Sequence, residues 1–247
     1  MSARISIITV VYNGEKVLER TIKSIRNQTF SDIEYIIIDG NSKDGTKAII
    51  EKYKSEISQW ISEPDKGLYD AMNKGLRLAK GEYVIFLNAG DQFQEKTTVE
   101  QVFRNPVIAD VYYGETMMVN DANEDIGLRR LKAPEILSWE SLINGMLVCH
   151  QSFIMKREIA PEYNLRYKIA ADYEWMLQCL KKSKTIVNTH QIIARFLDGG
   201  MNKSNIQTAL KERFGVMVKQ YGFFRTATRH ILIGFRFSWF VLRKGRF

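Results

Sequence analysis

Through residue 88, apolar runs of strand length alternate with stripes at helical spacing. "RISIITVVYN" is a β-branched run that predicts a first strand. In "GEKVLERTIKSIRNQ" the apolar positions Val17, Leu18, Thr21, Ile22 and Ile25 repeat as one helix face. "IEYIIIDGNS" is continuously apolar, as a buried parallel strand is. "KDGTKAIIEKYKS" predicts a second helix, and Gln59–Ser62 a short third strand. "GLYDAMNKGLRLAKG" predicts a third helix, packed through Leu68, Ala71, Met72, Leu76 and Ala79 and stopped at Gly81. "EYVIFLN" is the fourth strand.

This alternation predicts an α/β fold: an open, mostly parallel, Rossmann-like sheet with helices on both faces. Ligands of such sheets lie beyond the carboxyl ends of the strands. The residues at those ends are polar: Thr9, Tyr12 and Asn13, then Asp39, Asn41 and Ser42, then Glu63, Asp65 and Lys66, then Asn88 and Asp91. After about residue 100 the pattern loosens. Strands are expected over 109–119 and 185–196, and a helix over "ADYEWMLQCLKKS". Residues 1–99 therefore read as one half of a domain, 100–205 as a second half completing a cleft, and 206–247 as a helical tail.

Composition narrows the class. The 247 residues suffice for a sizeable core, and 4 prolines and 16 glycines argue against low complexity. Cys149 and Cys179 form no CxxC pair, which speaks against structural zinc and fits a reducing cytosol. The N-terminal run reads as a strand rather than a signal peptide. Of the net charge of +8, the stretch 221–247 carries Arg225, Arg229, Arg236, Arg243, Lys244 and Arg246 without any acid. The body is thus nearly neutral, and no nucleic-acid groove is expected. The tail, basic and aromatic with only short apolar runs, fits a helix lying at a membrane surface. The alternative is a helix packed on the body or in a homodimer interface.

"SIITVVYNGEKVLERTIKSIRNQTFSDIEYIIIDGNSKDGT" resembles the opening of family 2 glycosyltransferases, which have the GT-A fold. "EPDKGLYDAMNKGLRLAKGEYVIFLNAGD" is similar to the stretch leading into that family's metal motif. "CHQSFIMKR", "AADYEWMLQCL" and "RFLDGGMN" resemble its acceptor-side segments. The resemblance covers residues 4–205. It implies inverting transfer from a UDP-sugar, with Mn²⁺ or Mg²⁺, to a glycan acceptor of a bacterial surface polysaccharide. With the tail at the cytoplasmic membrane face, that acceptor is expected to be lipid-linked.

On that resemblance Asp91 is the candidate metal ligand, since a diphosphate leaves only when its charge is neutralised. The family commonly shows two or three acids here, whereas this chain has Asn88 and Gly90. Tyr12 is expected to stack on the base, Asp39 and Asp65 to accept from base or ribose, and Lys66 to meet phosphate. Thr9, Asn13, Asn73 and Asn88 complete the expected donor pocket. Arg195 stands beside a Gly199–Gly200 loop that could close over phosphates. Asp172 resembles the family's general base, with Ala171 in place of its usual acidic neighbour. Asp172 could instead be a helix N-cap, and Glu174 is the second candidate base. His150 and Gln151 are expected on the acceptor side, although a lone His is often structural.

Three other functions remain in view. A dinucleotide oxidoreductase fits poorly, because "VVYNGEKV" holds one glycine where a G-x-G-x-x-G turn is needed. A catalytically silent scaffold would be consistent with Gly90 and Ala171. A sugar nucleotidyltransferase would share strand-end acids and release pyrophosphate.

Overall fold

The computed structural model describes residues 3–198 and 206–232. Four parallel strands form its first half: β1 (Ile5–Val11), β2 (Ile33–Asp39), β3 (Gln59–Ser62) and β4 (Tyr83–Phe86). The remaining strands are β5 (Gln92–Phe93), β6 (Val111–Val119), β7 (Asp125–Leu128), β8 (Phe153–Lys156) and β9 (Ile186–Leu197). All nine join one sheet in the order β3-β2-β1-β4-β8-β6-β9-β5, with β7 added to β6. The parallel strands match the sequence reading. The second half is mixed, because β8 runs antiparallel to both β4 and β6.

Side-chain parity explains the burial. Ile8 and Val10 of β1, Ile36 and Ile38 of β2 and Val84 and Phe86 of β4 face one hydrophobic cluster. Ile5, Ile7 and Val11 of β1, Tyr35 and Ile37 of β2, and Tyr83 and Ile85 of β4 face the other. Helices α3 (Leu68–Leu78) and α5 (Ala171–Lys182) cover the first face. Helices α1 (Leu18–Arg26), α2 (Thr46–Lys52) and α4 (Thr98–Phe103) cover the second. Both clusters draw on residues before and after position 100, so the two halves share their cores.

β9 is long and irregular. Its pairing with β6 slips near His190, whose φ is +55°, and again before Ala194. The slips carry its last residues across to β5 and over the end of β4, where Leu197 meets the carboxylate of Asp91.

The described start of the tail packs against the body. Helix α6 (Ile206–Tyr221) places Val216 and Met217 in the first cluster. Tyr221 stacks on Trp139 at 5.5 Å between ring centroids. The carboxylate of Glu212 accepts the N–H groups of Lys168, Ile169 and Ala170, just before α5. The helical stretch 223–232 leaves Phe223, Phe224, Ile231 and Leu232 exposed, Phe224 by 85%. No helix among the described residues is long and apolar enough to cross a membrane. The Gly199–Gly200 loop and the tail beyond 232 lie outside the described residues.

Candidate active site

The strand-end residues separate into an open recess and a buried reaction end. The recess lies after β1 and β2. Tyr12 is 65% exposed there. Asn13 adopts a left-handed conformation; its Oδ1 accepts the Lys43 N–H at 2.9 Å, and its own N–H donates to Ser42 Oγ at 2.8 Å. These bonds tie the two strand-end loops together. Gly40 sits between Asp65 and Tyr12: a Cβ there would overlap Asp65 Oδ2 and meet the Tyr12 ring at 3.4 Å. Its missing side chain lets a flat aromatic surface and a carboxylate line one recess. Asp65 is held by the Gly67 N–H, which donates to Oδ1 at 2.8 Å. Lys66 is exposed at the rim.

Three expected donor contacts lie in the interior instead. Thr9 is fully buried, and its hydroxyl donates to the Leu87 carbonyl at 2.7 Å. Its odd position in β1 turns it toward α1, away from the rim. Asn73 is pinned at both ends to Tyr163, its amide donating to the carbonyl and its Oδ1 accepting the N–H. Asp39 is fully buried and accepts from the N–H and hydroxyl of Ser42 and from the hydroxyl of Ser62. It shapes the recess from beneath. Arg195 is likewise committed, donating to the Asn123 carbonyl at 2.9 Å and pairing with Asp125 at 2.8 Å.

At the reaction end, one line of polar groups runs from β4 to α5. The Asn88 amide lies 3.4 Å from His150 Nε2, and His150 Nδ1 lies 3.7 Å from Asp172 Oδ2. His150 thus presents Nδ1 to Asp172 and Nε2 to Asn88, and links the two. Asp172 is 7% exposed and stands in the first turn of α5. The helix N-cap is Ala170, without a side-chain cap, so Asp172 is not the cap its sequence position allowed. Burial would raise its pKa. The hydrogen bond and charge of His150, with the Arg213 guanidinium and the Tyr173 N–H, outweigh burial and hold the carboxyl below its ordinary value. Asp172 is thereby kept ionised. Glu174 points to α6 instead, 3.6 Å from Lys219. Arg213 and Glu212, which order this corner, lie outside the motifs the sequence reading used.

Asp91 does not fit the metal-ligand role that the resemblance implies. It is 3% exposed. Gln151 donates to its Oδ2 at 2.9 Å and the Leu197 N–H to its Oδ1 at 3.1 Å. Gln151, expected on the acceptor side, is thus an internal strut that also accepts from the Cys149 thiol. Gly90 has a φ of +101°, where an L side chain is strained, and a Cβ there would lie 2.9 Å from Leu197 Cδ2. Among the described residues no three His, Cys, Asp or Glu side chains gather as a metal cage. An acid ligand is absent at Gly90, and both oxygens of the buried Asp91 already accept an N–H, so this loop offers a divalent ion no ready carboxylate.

The family described as Glycosyl transferase family 2 matches residues 6–163. The chain is a family 2 glycosyltransferase. It is 33% identical over 184 residues to the uncharacterized glycosyltransferase Rv1514c of Mycobacterium tuberculosis, covering 70% of this chain and 68% of that one. It is 25% identical over 218 residues to TuaG of Bacillus subtilis, a putative teichuronic acid biosynthesis glycosyltransferase, covering 85% and 86%. Among solved structures it resembles S. aureus TarS (residues 1–349) in complex with UDP-GlcNAc, with a TM-score of 0.69 and 20% identity, over 87% of this chain and 64% of that one. It also resembles the mannosyltransferase PcManGT of Pyrobaculum calidifontis in complex with GDP-Man and Mn²⁺, with a TM-score of 0.66 and 15% identity, over 94% and 71%. The fold is GT-A, and within it the family's acidic metal motif is reduced here to Asn88, Gly90 and an occupied Asp91.

Proposed function

We propose that this glycosyltransferase moves a sugar, with inversion, from a UDP-sugar to a lipid-linked glycan of a bacterial surface polysaccharide. The observation that carries this reading is the pairing of an open recess at β1–β2 with a buried, ionised Asp172 beyond β4 on the same sheet edge. A base stacks on Tyr12 and meets Asp65, and the diphosphate then runs along the strand ends toward Asn88. Asp172 takes the proton of the acceptor hydroxyl as its oxygen bonds the anomeric carbon. The bond from that carbon to the diphosphate oxygen breaks, and its electron pair leaves with the nucleoside diphosphate. A carboxylate held ionised is a weak base at rest. It suffices once the attacking hydroxyl turns strongly acidic late in the transfer. His150 and Asn88 orient it.

The polysaccharide setting is supported by the similarity to TuaG, a putative teichuronic acid biosynthesis glycosyltransferase, and the UDP-sugar donor by the UDP-GlcNAc bound in the TarS structure. The exposed Phe223, Phe224, Ile231 and Leu232, on a helix carrying Arg225 and Arg229, suit a peripheral seat on an anionic membrane. The first experiment is nucleoside diphosphate release from a panel of UDP- and GDP-sugars, with and without bacterial membrane lipid. Release from one UDP-sugar, stimulated by the lipid and lost in Asp172→Asn, is the expected result. Release of pyrophosphate instead would replace the reading with a nucleotidyltransferase.

A further inference from the structure

A sugar diphosphate needs positive charge beside its leaving oxygen, and the loop that would hold a metal ion is poor in ligands. The same loop has a cation next to it. Arg20 lies on α1, which docks on the loop through Thr21: its hydroxyl accepts the Gly90 N–H at 2.9 Å and donates to the Asp91 carbonyl at 2.8 Å. Arg20 Nη2 comes within 3.5 Å of the point where a side chain at position 90 would begin. Of the guanidinium, Nη1 alone has a partner, the Asp121 carbonyl at 3.4 Å. Nε and Nη2 are buried without any hydrogen-bond acceptor. No carboxylate among the described residues lies within ion-pair distance of Arg20, and Asp121 and Asp91 act on its charge only from farther away, whereas Arg195 is paired with Asp125 at 2.8 Å.

Arg20 as a whole is half-buried, but Nε and Nη2, on one edge of its guanidinium, are buried and unanswered, which is costly, and they form the fork that matches two phosphate oxygens. β1 and β4 are neighbours, so a diphosphate reaching from the recess to Asn88 arrives at the start of the Asn88–Asp91 loop, which Arg20 flanks. We propose that Arg20, in place of a metal ion, neutralises the donor diphosphate, so that donor binding in this enzyme is independent of divalent cations. The proposal rests on the donor reading above. Leu197, whose Cδ2 covers Gly90, must turn aside for the phosphate to arrive.

The test is calorimetric binding of UDP and of uridine, and of GDP and guanosine, with Mn²⁺ or with excess EDTA. It uses the full chain as wild type, Arg20→Met and Arg20→Lys. The ratio of diphosphate to nucleoside affinity isolates the phosphate contribution, and nucleoside binding reports an intact recess. The expected result is a wild-type ratio that EDTA leaves unchanged. That ratio should fall about 10- to 100-fold in Arg20→Met and recover partly in Arg20→Lys. A wild-type ratio that collapses in EDTA overturns the proposal while leaving the donor reading intact, and an unchanged ratio in Arg20→Met does the same. Should Arg20→Met lose nucleoside binding too, the EDTA series on wild type and Arg20→Lys decides. Failure of the wild type to bind any of the four ligands would overturn both readings.

Discussion

The recess and the reaction end stand on one sheet edge and differ in almost every physical respect. The recess is open: Tyr12 is mostly exposed, Asp65 is half-buried, and loop-to-loop hydrogen bonds through Asn13 set its shape. The reaction end is closed: Asp172, His150 and Asp91 are all buried, and their charges answer to one another. In the open region a side chain acts through contact area. In the closed region it acts through protonation, because a buried carboxylate binds its proton according to its neighbours. Substitutions at the two ends should therefore fail in different ways.

The largest effect is expected at Asp172. Asp172→Asn keeps the shape and removes the proton acceptor. Turnover should fall by about 10²–10⁴-fold while nucleotide affinity stays at its wild-type value. Single-turnover product formation beside a binding isotherm separates the two. A parallel loss of affinity would mean that Asp172 holds the donor and would erase the contrast between the ends.

Asp91 gives the next largest effect, on stability. Burial pushes its pKa up to about 6 from an ordinary 3.8, against the opposing Gln151 and Leu197 hydrogen bonds. The folded state thus holds this proton more tightly than the unfolded chain does. The associated stability is complete below the unfolded value and is lost as pH rises toward about 6, by roughly 3 kcal/mol at about 1.4 kcal/mol per unit. Asp91→Asn should abolish that slope in urea titrations between about pH 4 and pH 7. A slope unchanged in the variant would show that Asp91 is ionised and solvated.

The open end follows. Tyr12→Ala should weaken nucleotide binding by about 10- to 100-fold with little change in turnover at saturation, since stacking on a base contributes about 1–3 kcal/mol. Melting temperature should hardly move, because the ring is mostly in water. A large drop in melting temperature would place Tyr12 with the buried end instead.

How much of this was written in the sequence divides along the same line. Strands β1 to β4 are legible because each is a continuous apolar run between helices of clear period, and the third, Gln59–Ser62, has the predicted bounds. Strands β5, β7 and β8 leave no such trace: the first has two residues, the second is wholly exposed, and the third is hidden in "CHQSFIMKR". Residue type at a strand end is also legible, but direction is not. Thr9 and Asn73 are polar and well placed by number, yet parity and a two-point bond to Tyr163 turn them inward. Arg20 shows the converse. The spacing of Leu18, Thr21, Ile22 and Ile25 assigns it to the solvent side of α1, yet beside Gly90, where β9 crosses, its Nε and Nη2 are buried. Long-range placement of this kind has no local signature.

The smallest expected effect probes the line from Asn88 to Asp172. His150→Gln keeps a hydrogen-bonding group in place but removes the ring whose bond and charge lower the Asp172 pKa. Burial then acts with less opposition, so the pKa rises. Asp172 works ionised, so activity is lost as pH falls through its pKa. The acid limb of the wild-type profile should lie below the ordinary carboxylate value and move up in the variant, with only a few-fold loss at neutral pH. His150→Ala should move the limb in the same direction and lower the plateau further, because Asn88 then has no partner to orient. A plateau lowered equally in both variants with the limb fixed would reduce His150 to packing. Asp172 would then owe its ionised state to Arg213 and the first turn of α5 alone.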